Sequence, residues 1–393
     1  MSTPGTGVTA PAGFRAAGVA AGLKIHGGRD VALVVNDGPA PASAGVFTSN
    51  RVVAAPVTLT RAHLATATLR AVVLNSGGAN ACTGTGGAED AALTADRVGT
   101  ALDLLPEQVG VCSTGLIGER LPMDTLLAGV DLAVAGLAAG EEAGAVAADA
   151  IRTTDTVAKT VTVAREGWTI GGMAKGAGML APGLATMLCV ITTDAVLEDE
   201  GASVALAEAV RTTFNRTDSD GCMSTNDSVI LLASGSSGVT PAPEVFTEAL
   251  REACGNLARQ LIADAEGASH EIGITVTGAS DEAAGEAVAR AVSRSNLFKT
   301  AVFGNDPNWG RVVSEVGTVP ESVAPYDPAR LDVTINGVTV CRGGGVGEPR
   351  ELVDMTPREV RVVIDLHAGD TSVELWTNDL THDYVHENSA YSS

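Results

Sequence analysis

Aromatic side chains and positive charge are both scarce in this sequence of 393 residues. Only 3% of the residues are aromatic, and 25 Lys and Arg face 47 Asp and Glu, which gives a formal net charge of −22. A surface of that sign repels phosphate backbones, so the composition argues against a nucleic-acid-binding protein. Apolar residues still make up 45% of the chain and 46 residues are glycine, so we expect a core of small aliphatic side chains.

Metal-binding and membrane-spanning patterns are missing as well. The six cysteines contain no C-x-x-C pair, which argues against a zinc site and against the disulfide framework of a secreted protein. His382 and His386 are four residues apart, but the stretch that holds them is not predicted to be helical. No apolar run is long enough to cross a bilayer, and the first residues lack the basic segment followed by an apolar run that is typical of a leader peptide. We therefore expect a soluble cytoplasmic protein that uses no metal and binds neither membrane nor nucleic acid.

Short apolar runs bounded by turn residues alternate with helical periodicity, which predicts an α/β protein. Strands are predicted for Val31–Asn36 and for residues 52–59. Residues 123–151 predict two helices that are interrupted near Gly140. Residues 359–366 and 371–377 predict a hairpin, because a short turn-forming segment joins two alternating runs.

The middle of the chain contains a glycine-rich segment. Residues 168–184 include five glycines and a proline, which predicts a flexible, turn-rich segment. An apolar run begins directly afterwards at Thr186, so this segment leads into a buried strand.

The familiar nucleophile motifs are absent: the chain has no G-x-S-x-G elbow, no H-E-x-x-H and no P-loop. The pair Ala185 and Thr186 offers another chemistry. A threonine hydroxyl needs a base beside it, and cleavage of the preceding peptide bond would create one in the new α-amine. Such an amine has a pKa of about 7.7–8.0, close to working pH, so it can accept and return the hydroxyl proton. On the local pattern alone, Thr186 also fits an ordinary β-branched residue that opens a strand.

Acyl transfer also requires hydrogen-bond donors for the developing oxyanion. Thr114 and Gly115 follow the predicted strand Val109–Ser113 and offer a hydroxyl and an unobstructed backbone N–H. The alternative is a simple turn after the strand.

Several motif blocks, in order along nearly the whole chain, resemble the ornithine acetyltransferases, also called bifunctional glutamate N-acetyltransferases. The most specific block is K-G-x-G-M-x-A-P-x-x-A-T-M-L, which runs from Lys175 to Leu188. The other blocks are residues 8–14, 75–84, 113–118, 153–156, 224–227, 265–268, 306–311 and 388–391.

The resemblance implies a layered αββα sandwich, similar to but distinct from that of the classical N-terminal-nucleophile hydrolases. It also implies self-cleavage between Ala185 and Thr186 into an alpha chain of residues 1–185 and a beta chain of residues 186–393. Both chains then contribute to one active site, and the family assembles as a heterotetramer of two alpha and two beta chains. No metal or bound cofactor is implied.

Site residues follow from the resemblance position by position. Thr186 corresponds to the nucleophile that carries the acetyl group, and Thr114 and Gly115 to the oxyanion hole. The substrate-contacting positions correspond to Thr153, Lys175, Thr186, Glu266, Asn388 and Ser393. A lysine at position 175 suits a substrate α-carboxylate but also suits activation of Thr186, and the sequence leaves both roles open. Glu266 suits the side-chain ammonium of ornithine.

The implied activity is transfer of the acetyl group from N2-acetylornithine to glutamate, with ornithine released between the two steps of a ping-pong cycle. Acetyl-CoA is a second acetyl donor if the enzyme is bifunctional. Two other classes stay open: a self-processing amidohydrolase or aminopeptidase that passes the acyl group to water, and a binding protein that keeps the fold but never matures.

Overall fold

The computed structural model describes residues 7–181 and 187–390. They divide into two compact units. The first comprises the described residues up to Asn215 together with Cys222–Leu261, and the second comprises Arg216–Gly221 and the described residues from Ile262 onward. Within the described ranges, no helix is long and apolar enough to cross a membrane.

The first unit contains strands on both sides of the glycine-rich segment. They are β1 (Phe14–Val19), β2 (Val31–Asn36), β3 (Ala42–Phe47), β4 (Ala71–Asn75), β5 (Val109–Ser113), β6 (Lys159–Arg165), β7 (Trp168–Lys175), β8 (Leu188–Thr193) and β9 (Ser228–Ala233). Its helices are α1 (Ala55–Leu64), α2 (Gly84–Leu102), α3 (Met123–Ala135), α4 (Glu141–Ala150), α5 (Asp199–Arg211) and α6 (Pro243–Ala263), the last of which ends just inside the second unit.

These strands form two sheets that stack face to face. One has the order β1-β2-β4-β5 and the other the order β3-β9-β8-β7-β6. Their facing side chains share one core, to which β2 contributes Val34, β4 contributes Leu74, and β8 contributes Val190. Every residue of β2, β4, β8 and β9 is buried, which explains why these strands are almost uninterrupted apolar runs.

Helices cover the outer faces of the two sheets. Val98 of α2 and Val130 of α3 pack in one cluster with the outward-facing residues of β2 and β4. On the other sheet, the rings of Trp168 in β7 and Phe246 in α6 lie 5.6 Å apart, and Gln260 of α6 donates a hydrogen bond to a carbonyl of β6. The first unit therefore has the helix–sheet–sheet–helix layering that the resemblance implies.

In the described residues, the second unit contains one six-stranded sheet together with helices. The strands are β10 (Glu271–Ala279), β11 (Asp332–Ile335), β12 (Val338–Arg342), β13 (Gly345–Val346), β14 (Glu359–Asp365) and β15 (Thr371–Asn378). They pair in the order β13-β12-β11-β14-β10-β15. The helices are α7 (Glu282–Ser293), α8 (Asn296–Phe303), α9 (Trp309–Val316) and α10 (His382–Ala390). Helices α7, α8 and α9 share an apolar core with the sheet.

Two predicted elements differ from the structure. Residues 52–59 were predicted as a strand, but most of them belong to helix α1, which begins beside Pro56. Proline is favoured at the first helical positions because its missing N–H has no helical acceptor there. The predicted hairpin between β14 and β15 is also wrong, since β10 lies between them and is parallel to β14 and antiparallel to β15.

Two further segments are more regular than predicted. The first eight residues of the glycine-rich segment, Trp168–Lys175, are strand β7 rather than a flexible turn. The stretch with His382 and His386 is helix α10, although it was predicted not to be helical. The two helices predicted for residues 123–151 are confirmed as α3 and α4, and Gly140 precedes α4 with a positive φ of 97°.

The sheet β3-β9-β8-β7-β6 interleaves the two parts of the chain that flank residues 182–186. Strands β3, β6 and β7 precede this segment, while β8 and β9 follow it. The join between β7 and β8 is a full antiparallel ladder from Ile170 opposite Thr193 to Lys175 opposite Leu188. Hydrogen bonds and a shared core therefore hold the two parts together independently of the backbone between them.

A break in the backbone between β7 and β8 should consequently leave the molecule assembled. We expect two fragments on a denaturing gel and a single species on size-exclusion chromatography under native conditions. The control is the same sample after treatment with denaturant, in which the fragments should elute apart. Separation of the fragments without denaturant would contradict the interleaved sheet.

Candidate active site

The predicted oxyanion residues lie at the end of β5, where the chain leaves the sheet. The Thr114 N–H donates to the Asn75 carbonyl at 2.9 Å, and the Thr114 carbonyl accepts from the Gly78 N–H at 3.0 Å, so Thr114 is fixed on both sides. Gly115 has a φ of +131°, and a Cβ there would lie 2.7 Å from the Gly78 nitrogen. Only glycine fits this backbone. Within the described ranges the Gly115 N–H donates to no acceptor, so it is available to a bound oxyanion.

Lys175, the last residue of β7, brings an ammonium group to the same place. Its side chain is only 2% exposed, and Nζ donates to Thr114 Oγ1 at 3.3 Å. Because an ammonium group can only donate, the Thr114 hydroxyl accepts this bond and its own hydrogen points elsewhere. A donor that itself receives a charge-assisted hydrogen bond is polarised and becomes a stronger donor.

Asp155 is a second neighbour of this ammonium. Its carboxylate lies 3.9 Å from Lys175 Nζ and accepts from Lys159 Nζ at 2.6 Å. It also accepts the backbone N–H groups of Gly176 at 2.6 Å and Thr153 at 3.0 Å. Burial alone would raise the pKa of Asp155, but the charges of Lys175 and Lys159 outweigh it and hold that pKa well below its usual range. The carboxyl is therefore ionised.

A second buried carboxyl lies where β8 and β9 begin. Asp227 is fully buried and its Oδ1 accepts the N–H of Met187 at 3.0 Å. Burial raises the pKa of Asp227 well above its usual range, against smaller opposing effects of the Met187 N–H and the Lys175 charge. Met187 is the residue that follows Thr186, so this carboxyl anchors the chain directly after the predicted nucleophile.

Asn226 ties the start of β9 to the oxyanion loop. Its Nδ2 donates to the carbonyls of Ala79 at 2.6 Å and Ser113 at 2.8 Å. Ser113 precedes Thr114, and Asn226 is 4% exposed. One buried amide thus links the end of β5 with the loop that carries Gly78.

Three of the predicted positions lie outside the described residues: Ala185, Thr186 and Ser393. Of the others in the first unit, the structure brings Thr114, Gly115, Thr153 and Lys175 together around Asp155 and the Thr114 hydroxyl.

The remaining predicted positions, Glu266 and Asn388, meet in the second unit. Asn388 lies in α10, and its Nδ2 donates to Glu266 Oε2 at 2.9 Å and to the Tyr384 carbonyl at 3.0 Å. Glu266 is half-buried and Asn388 is exposed. Two predicted positions that are far apart in sequence are therefore in direct contact.

A serine, a histidine and an aspartate also meet in the second unit, but not as a catalytic triad. His270 Nδ1 lies 2.9 Å from Asp379 Oδ2 and 3.1 Å from Ser269 Oγ. A triad needs the serine on Nε2, opposite the carboxylate, so that the ring can accept the hydroxyl proton. Among the described residues, no group of three or more His, Cys, Asp or Glu side chains is arranged to hold a metal ion.

Sequence reasoning gave no role to four residues that build this site: Asp155, Lys159, Asn226 and Asp227. Three of them are charged, with Lys159 at the start of β6 and Asp227 directly before β9, and charged residues are rarely buried unless they are paired. Charged residues at such positions are the feature of the sequence that could have pointed to a buried ionic cluster. The pairing itself joins segments far apart in sequence, so only the fold reveals it.

Comparison with known protein families gives one match along almost the whole chain. A family model described as the ArgJ family matches residues 15–393. A Streptomyces avermitilis protein named arginine biosynthesis bifunctional protein ArgJ is 60% identical over 386 residues, which cover 98% of this chain and all of that protein. The protein of the same name from Bifidobacterium longum is 57% identical over 389 residues and covers 98% of this chain and all of that protein.

Two solved structures are similar to parts of the chain. Ornithine acetyltransferase from Mycobacterium tuberculosis, crystallised with ornithine, has 57% sequence identity, covers 46% of this chain and 96% of that chain, and gives a TM-score of 0.45. The arginine biosynthesis bifunctional protein from Bacillus halodurans has 33% identity, covers 51% of this chain and 97% of that chain, and gives a TM-score of 0.47.

The environment of Asp227 predicts how two substitutions differ. In Asp227→Asn the side chain still accepts the Met187 N–H and is neutral at every pH, so we expect nearly wild-type stability at acidic pH. In Asp227→Ala the buried N–H loses its acceptor, which costs about 1–3 kcal/mol of unfolding free energy. Urea denaturation of the three proteins measures the difference.

The same carboxyl predicts the sign of a pH effect. Its folded-state pKa lies above the unfolded value of about 3.9, so the wild type loses stability as pH rises through the folded pKa. Asp227→Asn has no such loss, and its stability relative to wild type should therefore increase with pH. A relative stability that falls or stays flat with rising pH would show that Asp227 is not held neutral by burial.

Proposed function

The chain belongs to the ArgJ family of bifunctional arginine-biosynthesis enzymes, and on that premise we propose that it transfers the acetyl group of N2-acetylornithine to glutamate. The observation that carries the proposal is the buried cluster in which Lys175 Nζ lies between the Thr114 hydroxyl and the Asp155 carboxylate. It combines a polarised hydroxyl, an available Gly115 N–H and a fixed cation, which suit an oxyanion and a carboxylate.

Maturation in this proposal begins with Thr186. Its hydroxyl attacks the Ala185 carbonyl, the peptide C–N bond breaks, and the nitrogen becomes the α-amine of Thr186. Water then hydrolyses the ester, which frees the Thr186 hydroxyl and leaves Ala185 as a carboxylate. Support comes from the described residues on either side: Asp155 anchors Gly176 before the segment, and Asp227 anchors Met187 after it. The products are the alpha chain of residues 1–185 and the beta chain of residues 186–393.

The transfer cycle uses the new α-amine as the base. It accepts the Thr186 hydroxyl proton while the oxygen attacks the acetyl carbonyl of N2-acetylornithine. The Thr114 hydroxyl and the Gly115 N–H donate to the oxyanion, and ornithine leaves as the amine after receiving the proton. The amine of glutamate then attacks the acetyl-threonine ester, which releases N-acetylglutamate and restores Thr186. The kinetics are ping-pong.

Substrate recognition follows from charge. Lys175 provides the cation for a substrate carboxylate, with Thr153 held beside the same Asp155. Glu266 provides the anion for the side-chain ammonium of ornithine, and its hydrogen bond from Asn388 fixes the orientation of the carboxylate. Ser393 completes the positions that the family resemblance assigns to substrate contact.

The relatives' name supports a second activity. A bifunctional enzyme of this pathway needs a further reaction, and we assign to it the synthesis of N-acetylglutamate from acetyl-CoA and glutamate at the same Thr186. We also propose a cytoplasmic heterotetramer of two alpha and two beta chains.

Intact-mass spectrometry under denaturing conditions tests maturation and the covalent intermediate together. After incubation with N2-acetylornithine and no acceptor, we expect two fragments that divide at Ala185 and Thr186, with one acetyl group on the C-terminal fragment only. The Thr186→Ala variant should show neither cleavage nor acetylation. An uncleaved wild-type chain without acetyl would support a binding protein, and net release of acetate instead of transfer to glutamate would support a hydrolase.

Removal of the Thr114 hydroxyl tests the oxyanion assignment. Thr114→Val keeps the shape but loses one donor, and kcat should fall by about 10²–10³. Thr192→Val is a matched control, because Thr192 is equally buried and donates to the Val8 carbonyl at 2.9 Å toward the far end of β8. Steady-state rates of mature protein measure both. Equal losses in the two variants would assign Thr114 a structural role only.

A further inference from the structure

Lysine is used in this chain almost exclusively in the interior. The sequence has four lysines, Lys24, Lys159, Lys175 and Lys299, and the last three are at most 5% exposed. The exposed ion pairs are formed by arginines instead, as in the pairs of Arg15 with Asp37 and Arg97 with Asp131. An ammonium group changes its pKa readily when buried, whereas a guanidinium stays charged. Interior lysines therefore make the site sensitive to the charges around it.

Asp155 is the residue through which two of these lysines meet. It accepts hydrogen bonds from Lys159 Nζ, from the Gly176 N–H and from the Thr153 N–H, and it lies 3.9 Å from Lys175 Nζ. Gly176 follows Lys175 directly. The Asp155 carboxylate therefore contacts the end of β7 both at the backbone N–H of Gly176 and at the side chain of Lys175.

We propose that Asp155 is the positioning residue of the site: it holds the Lys175 ammonium charged and in place between the Thr114 hydroxyl and the substrate carboxylate. The inference rests on the proposed function for the nature of the substrate. It assigns to Asp155 no contact with the substrate or with the reacting atoms. Its effect passes through Lys175 and through the backbone of Thr153.

The charges that face Lys175 come from several elements. Asp155 and Lys159 belong to the segment that enters β6. Asp227 lies at the start of β9, and the Lys175 charge lowers the pKa of its carboxyl although burial dominates. Lys24 lies in the loop before β2, and its pKa is lowered first by burial and also by the Lys175 charge. Of these groups, Asp155 is the ionised carboxylate that lies within 4 Å of Lys175 Nζ, so its replacement by a neutral side chain removes that negative charge.

The scarcity of lysine makes a direct measurement practical. Protein labelled with ¹³C-lysine should give four side-chain Cε signals, and Lys175→Arg identifies the one that belongs to Lys175. A titration of this signal reports the protonation of Lys175 without any turnover. The pH dependence of kcat/KM for N2-acetylornithine, measured on mature protein, reports its consequence for the reaction.

Two substitutions should move the Lys175 titration in opposite directions. Asp155→Asn removes the opposite charge within 4 Å, so the pKa of Lys175 should fall by about 1–3, and the alkaline limb of kcat/KM should move down with it. Lys159→Met removes a like charge and leaves Lys175 as the only lysine beside Asp155 among the described residues, so the pKa of Lys175 should rise. Structural damage would not produce shifts of opposite sign.

Asp194→Asn is the matched control. Asp194 also accepts two backbone N–H groups, from Thr169 at 2.7 Å and from Ala12 at 3.1 Å, and it is also buried. It follows β8 at the end away from Leu188, roughly 20 Å along the strand from the residue that pairs with Lys175. This variant should leave both the Lys175 titration and the alkaline limb unchanged.

An unchanged Lys175 titration in Asp155→Asn would overturn the proposal, as would shifts in the same direction for Asp155→Asn and Lys159→Met. If Asp155→Asn does not fold, the Lys159→Met variant alone tests the proposal. The proposal requires that the pKa of Lys175 is higher in Lys159→Met than in the wild type. A wild-type protein that fails to transfer acetyl groups would contradict the proposed function, while the lysine titrations would still test the role of Asp155.

Discussion

The burial of one carboxylate with two ammonium groups is the interaction on which the site depends. Transfer of each ion from water costs several kcal/mol, and mutual attraction repays that cost only when the remaining hydrogen-bonding positions are also satisfied. Asp155 meets this condition through Lys159, Gly176 and Thr153. Loss of one partner of such a buried pair typically costs about 3–5 kcal/mol, so the cluster defines where the end of β7 lies. The position of Lys175 relative to Thr114 follows from it.

Close backbone packing is the second constraint, and it explains a difference between pattern and structure. The glycine-rich sequence of β7 is typical of a turn, yet the segment is a buried strand. A Cβ on Gly171 would lie 2.1 Å from the Gly7 carbonyl oxygen, and one on Gly172 would lie 3.3 Å from Leu257 of α6. The absence of side chains at these glycines allows other segments of the protein to pack directly against the strand; the glycines do not bend it. The sequence shows that these positions lack side chains, but it does not show which segments pack against them.

Local patterns predicted the strands with uninterrupted apolar runs, such as β2 and β5, because burial on both faces leaves a strong signal. They failed where pairing partners are distant. Nothing in the two alternating runs of β14 and β15 indicates that β10 lies between them. The candidate site divides in the same way. Thr114, Gly115 and Lys175 were predicted through motifs and are brought together in the structure, whereas Asp155 and Asp227 act through contacts across 21 and 40 positions that no local pattern encodes.

The two carboxyls of the site show how one fold gives the same group opposite properties. Asp155 is ionised because two ammonium groups and two backbone N–H groups surround it, whereas the pKa of Asp227 is raised because burial outweighs the Met187 N–H and the charge of Lys175. Their positions match what the proposed chemistry needs. An anion beside Lys175 keeps a cation available for the substrate. The carboxyl of Asp227 anchors Met187, and burial disfavours a negative charge there, one residue along the chain from the amine that is proposed as the base. A carboxylate there would favour the ammonium form, which cannot act as the base.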